Sequence, residues 1–119
     1  MKIIEAIEAC KKLKDSAFDE SVILDWLSRL DGRVSAELIK PDAPRAAYAY
    51  PADLQTELLI PHPYDEAYLH YIEAMADYSN EEYDKYQNSY AMFNNLYSNF
   101  RRAYNRTKLP QARDLTNVL

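Results

Sequence analysis

The sequence predicts an all-α fold: a small four-helix bundle with a C-terminal αα-hairpin and a proline-rich central loop. Three observations carry this. Apolar residues recur at spacings of three and four along most of the 119-residue chain, the mark of one-sided helices. Five of the six prolines fall between residues 40 and 63, where no long regular element fits. Gly32 is the single glycine, too little for the tight turns of a β-sandwich or for a phosphate-cradling loop. P-loop and Rossmann functions are excluded on that ground.

The first helix is expected over about residues 2–14, where Ile3, Ala6, Ile7, Cys10 and Leu13 make one apolar face. Asp15, Ser16 and Ala17 interrupt it. Phe18, Asp19 and Ile23 then match a hydrophobic staple around an Asp N-cap. A second helix over about 19–39 carries Ile23, Leu27, Leu30, Val34 and Leu38, with Trp26 widening the stripe. Gly32 costs it about 1 kcal/mol relative to alanine, yet the apolar register continues on both sides, so the helix is read through. In the loop 40–63, Leu54, Leu58, Leu59 and Ile60 are too apolar for a free linker. The loop is expected to lie on the helices, ordered at its C-terminal end and looser around Ala43 to Tyr50.

Pro63, followed by Tyr64, Asp65 and Glu66, reads as the start of a third helix over about 64–78. Ser79 and Glu82 fit a capping box that opens a fourth over about 80–106. This helix should end before Pro110, leaving 108–119 as a flexible tail beyond a single helical domain, residues 1–107.

A net charge of −5, from 14 basic and 19 acidic residues, argues against general duplex binding, which rests on phosphate neutralisation. Cys10 is the single cysteine and cannot form an internal disulfide, so a reducing, intracellular setting is expected. Acids enter the N-terminus at once, and neither a signal peptide nor a membrane span is expected.

The strongest signal is aromatic. Tyr83, Tyr86, Tyr90, Phe93, Tyr97, Phe100 and Tyr104 alternate strictly by three and four, and tyrosine totals 11 residues. Such a helix needs a partner surface along its length. The preceding helix supplies one but is shorter, about 15 residues rising ~22 Å against about 26 rising ~39 Å. Tyr97, Phe100 and Tyr104 should therefore overhang it, to be covered either by the second helix or by another protein. Tyrosine suits a half-wet interface, its ring apolar and its hydroxyl in need of a partner. Tyr86, Tyr90, Phe93, Tyr97, Phe100 and Tyr104 are thus a candidate protein interface, with a tyrosine-rich core as the equal alternative.

Little else points to chemistry. Glu66, His70 and Glu73 could present three ligands on one face, but no Glu-x-x-His pair accompanies them and a solvated polar face is the simpler account. Asp77, Glu81 and Asp84 lack an EF-hand pattern. No nucleophile–base set can be proposed, so no metal, cofactor or catalytic residue is expected. Arg101, Arg102 and Arg106, in a basic stretch reaching Arg113, complement the negative end of the helix dipole or contact an acidic neighbour or nucleic acid, the dipole being the favoured account.

Several segments occur together in one order: Trp26-Leu27-Ser28 and Leu30-Asp31-Gly32, Glu57-Leu58-Leu59-Ile60-Pro61 with Pro63-Tyr64-Asp65-Glu66, Tyr83-Asp84-Lys85-Tyr86-Gln87-Asn88-Ser89 with Phe93-Asn94, and Tyr104-Asn105-Arg106-Thr107. Over about residues 1–110, residues 40–54 excepted, the chain resembles the small head–tail connector (adaptor) proteins of tailed phages and prophages. One departure is Asn80, where that family tends to have glycine; asparagine tolerates a left-handed turn less well. The resemblance implies a helical subunit, without catalytic residues, that forms a ring homo-oligomer of about a dozen copies under the portal protein. It implies further contacts with the next head-completion or tail protein, DNA only as passing cargo, and no membrane. It places the protein in the bacterial host cytoplasm when made and in the virion after assembly. The alternative is a stand-alone helical protein-interaction adaptor of bacterial or prophage origin.

Overall fold

A computed structural model describes residues 1–13, 18–39 and 47–118, with side chains described for 1–12, 18–39 and 47–107. The fold is all-α. Helix α1 spans Ile3–Leu13, α2 Glu20–Val34, α3 Ala67–Ser79 and α4 Tyr83–Val118, and a π-helical turn over Ser35–Ile39 extends α2.

Helix α1 forms where the apolar spacing demands it: Ile3, Ala6, Ile7 and Cys10 are all buried. Its first amide donors, orphaned in any helix, bond outside it, Ile3 to the Thr56 carbonyl at 3.0 Å and Ile4 to the Leu54 carbonyl at 2.9 Å. An isolated antiparallel bridge joins Lys2 to Glu57 in the same place.

Helix α2 begins after Asp19, whose backbone is extended but whose carboxylate makes no capping hydrogen bond. Phe18 meets Trp26 edge-on, ring centroids 5.1 Å apart. The helix passes through Gly32 as the continuous register predicts, and a Cβ added there would meet nothing within 4 Å. Past Val34 it widens into the π turn, with Leu38 buried and Glu37 on the outer side.

The third helix starts later than proline punctuation suggests. The Tyr64 amide donates to the Pro61 carbonyl at 2.9 Å and the Ala67 amide to the Tyr64 carbonyl at 3.1 Å. The chain therefore turns through residues 61–66, and α3 opens at Ala67 rather than at Pro63. It ends as expected near residue 79, by a different device. The Glu82 amide bonds the Asp77 carbonyl and the Glu81 amide bonds the Tyr78 carbonyl, the paired pattern of a Schellman cap. Its left-handed residue is Glu81 at φ 60°, while Asn80 stays at φ −88°. That cap replaces the expected Ser79–Glu82 capping box, and α4 begins at Tyr83.

Helices α3 and α4 pack as an antiparallel hairpin, with α1 and α2 against α3. Tyr68, Ile72, Phe93, Tyr97 and Phe100 join Ile7, Ile23, Leu27, Leu30 and Ile60 in one core. The backbone of α4 stays helical past the expected end near residue 106 and through Pro110, to Val118. Its 36 residues rise about 54 Å, which sets the 57 Å long axis of the molecule.

The expected looser stretch splits: residues 43–46 lie outside the described residues, whereas Tyr48 and Tyr50 are pinned. The Tyr48 amide donates to Ser28 Oγ at 2.9 Å, and the Tyr50 hydroxyl donates to Glu20 at 3.1 Å. Leu58 and Ile60 are buried, with Leu54 and Leu59 packed beside the core.

Candidate protein interface

The seven aromatics of α4 lie on one face, and Tyr78 of α3 extends their line. Consecutive rings touch from Tyr83 and Tyr86, both against Tyr78, through Tyr90, Phe93, Tyr97 and Phe100 to Tyr104. Their centroids are 5.3–6.5 Å apart and their planes tilted or edge-on, the arrangement that aromatic quadrupoles favour. The ladder runs unbroken from the hairpin tip to the far end of the described side chains.

Its members divide by what stands opposite. Phe93, Tyr97 and Phe100 are core residues at 0, 2 and 4% exposure. The expected overhang is covered within the chain at Tyr97 and Phe100. Tyr71 of α3 packs on Phe93, Tyr64 on Phe100, and the π turn after α2 reaches Tyr97, whose hydroxyl donates to Glu37 at 2.8 Å. Tyr86, Tyr90 and Tyr104 are half-buried. Of the six candidate interface residues, three are therefore inside the fold.

The most exposed aromatic side chains of the hairpin lie at its other end. Tyr78 and Tyr83 at the hairpin tip are 56 and 52% exposed, and Met92 on the outer side of α4 is 51% exposed. Exposed Glu81, Glu82 and Asp84 surround the tip, with Lys85 paired to Glu82 at 3.4 Å. No period-based count finds this patch, because Tyr78 and Tyr83 sit on the same spacing as the buried rings.

The opposite end of the hairpin is basic. Arg101, Arg102 and Arg106 are exposed, and none makes an ion pair among the described residues. Arg101 lies 5.9 Å from the Tyr97 ring centroid, and Arg33 lies 4.9 Å from the same ring. Arg102 donates to Asn99 Oδ1 at 2.8 Å rather than to an acid among the described residues. Arg102, Arg106, Asn99, Asn105 and Tyr64 line an open cavity of about 630 Å³.

Two electrostatic features mark the interior, the first of them on the inner ladder. Glu37 accepts from both Tyr97 and Arg33. Burial pushes its carboxyl up, but these two bonds outweigh it and hold the group below its ordinary value. Burial and the same bond push the Tyr97 phenol up to about 12. Deeper in, Asp31 is 1% exposed and was not singled out by sequence reasoning. Its carboxylate accepts from the Tyr68 hydroxyl at 2.6 Å, the Leu59 amide at 3.1 Å and the Tyr48 hydroxyl. The Tyr68 hydroxyl in turn accepts from the Ile60 amide at 2.7 Å. Burial and the Asp31 charge raise the Tyr68 phenol far above its ordinary range. A signal was present: Asp31 lies four residues from Leu27 and three from Val34, on the apolar face itself.

The other sequence candidates disperse. Asp77 is buried and accepts from Ser89 Oγ at 3.0 Å, whereas Glu81 and Asp84 are exposed. Among the described residues, no three His, Cys, Asp or Glu side chains gather closely enough to hold a metal ion, Glu66, His70 and Glu73 included. Nor is any helix among them long and apolar enough to cross a membrane.

Fold and surface together define an all-α protein with an acidic aromatic tip and a basic, cavity-bearing opposite end. No protein-family model, curated protein or solved structure matches the chain.

Proposed function

We propose that the chain is a structural virion protein of a tailed phage or prophage, a head–tail connector (adaptor) that oligomerises as a ring under the portal. The resemblance of its ordered sequence segments to that family suggests it. The observation that carries it in this molecule is the pair of exposed surfaces, an aromatic acidic tip and a basic cavity, at the two ends of one hairpin. A subunit built to join others needs such surfaces, because large exposed aromatics are costly to leave in water and mark contact sites. In this role the portal and the next head-completion or tail protein are its further partners. DNA passes as cargo, and a chain of net charge −5 holds phosphate weakly.

The test is cofractionation. A tagged copy is produced in the cell that carries the gene, any prophage is induced, and particles are separated on a density gradient. Several copies per DNA-filled particle are expected. A purely soluble, low-mass peak while particles are being made would overturn the connector reading and leave a stand-alone helical adaptor.

A further inference from the structure

The two ends of the hairpin are complementary, and they cannot meet within one molecule. Tyr83 and Arg106 both lie on α4, 23 positions apart, which is about 35 Å along a helix. At the tip, Glu81 and Asp84 make no ion pair among the described residues, and Glu82 is tied to Lys85 alone. At the base, Arg102 and Arg106 line a cavity with two asparagines and Tyr64, and neither pairs with an acid among the described residues. Residues 98–107 hold three arginines and no acidic residue, while 81–85 hold three acids and one lysine. A chain that is acidic overall has placed two of these guanidinium groups, Arg102 and Arg106, on a concavity in the size range of ligand sites.

We infer that the tip of one copy docks into the arginine-lined cavity of a second copy. Tyr83 and Tyr78 would enter the cavity, and Glu81 and Asp84 would pair with Arg102 and Arg106. The amides of Asn99 and Asn105, with Tyr64, supply polar partners for the tyrosine hydroxyls. The backbone at Glu81 fits this role. An acidic side chain occupies a left-handed position where glycine is the unstrained choice, so a charge is kept at the tip at a cost in local strain. Because tip and cavity are different surfaces, the contact is heterologous: it closes into a ring if the rotation per subunit allows and otherwise runs on as a filament. The inference rests on the ring-subunit reading for closure, whereas the contact itself rests on shape and charge.

Sedimentation velocity on the full chain over a concentration series, in low and high salt, tests it with two charge-reversed variants. One carries E81K and D84K, the other R102E and R106E. The wild type should self-associate in low salt and dissociate in high salt. Each variant alone should bind itself at least about a hundredfold more weakly, since like charges then face each other. An equimolar mixture of the two should recover association, because each variant's reversed end now complements the other's. That recovery also shows that both variants fold. A wild type that stays monomeric at the highest attainable concentration overturns the inference, as does association that survives either reversal or a mixture that stays monomeric. The particle gradient separates this from the connector reading. Reversed variants that still enter particles at full copy number would sink the tip-to-cavity contact and leave the connector reading standing. Salt-sensitive, mixture-rescued association in a chain that never enters particles would do the opposite.

Discussion

Phe93, Tyr97 and Phe100 are at most 4% exposed, while Tyr78 and Tyr83, in the same run of touching rings, are more than half exposed. Each ring keeps the spacing of three and four of its own helix, and both groups make tilted or edge-on ring contacts. The difference lies in what stands opposite. Tyr64, Tyr71 and the π turn after α2 cover the inner rings, and nothing among the described residues covers the tip. Helical period fixes which side chains share a face; whether that face is core or surface depends on how far the neighbouring elements reach.

Truncating an inner ring should therefore cost most. Phe93→Ala removes a fully buried ring wedged among Tyr71, Tyr90 and Tyr97 and should destabilise the fold by about 3–5 kcal/mol. Urea unfolding followed by circular dichroism measures this. A loss under about 1 kcal/mol would mean that the inner rings are not core and would erase the contrast with the tip. Next comes Asp31→Ala, which leaves the Tyr68 and Tyr48 hydroxyls and the Leu59 amide without this acceptor. A loss of about 3 kcal/mol is expected. Hydrogen exchange should quicken first at Leu59, whose amide proton the carboxylate protects.

These two sites also mark how much the sequence discloses. The all-α class, four helices, the α3–α4 hairpin and the run through Gly32 follow from spacing and composition, because amphipathic period is a local property. Proline punctuation places the start of α3 too early, because the Tyr64 amide turns back to the Pro61 carbonyl, a contact that a rule for proline at a helix start does not contain. The backbone of α4 continues past Pro110 although proline forfeits a hydrogen bond. Asp31 was legible in principle as an acid on an apolar face, yet its partners come from Tyr48, Leu59 and Tyr68, three distant points of the chain. The split of the aromatic ladder was open from the start, since covering by the second helix and covering by another protein predict the same sequence.

The Tyr97–Glu37 bond sharpens the comparison through pH. Glu37 is held below its ordinary 4.5, so its contribution is complete above pH 4.5 and is lost as pH falls through its lowered folded value. The Tyr97 phenol is raised from 10.0 to about 12, so the folded state favours its proton. That contribution is complete below pH 10 and is lost as pH rises towards 12. Tyr97→Phe keeps the ring and removes the bond. It should cost about 1 kcal/mol at neutral pH and flatten the alkaline fall in stability. Urea midpoints across pH test this, and an alkaline limb unchanged by the substitution would assign that fall to other tyrosines, Tyr68 first.

Changes at the tip should do least to the fold. Glu81→Gly relieves a left-handed residue and should gain roughly 1 kcal/mol, a stabilisation that no inner-ring substitution can give. Tyr83→Ser removes a ring that is half in water and touches Tyr78 alone among the aromatics, so the unfolding midpoint should move by no more than about 0.5 kcal/mol. The same substitution should weaken self-association, because Tyr83 is the ring placed to enter a neighbour's cavity. If Tyr83→Ser instead cost as much as Phe93→Ala, the tip would belong to the monomer's own core, and its exposure would say nothing about a partner. A near-neutral effect on folding with a clear loss of association separates the two halves of the ladder by role as well as by burial.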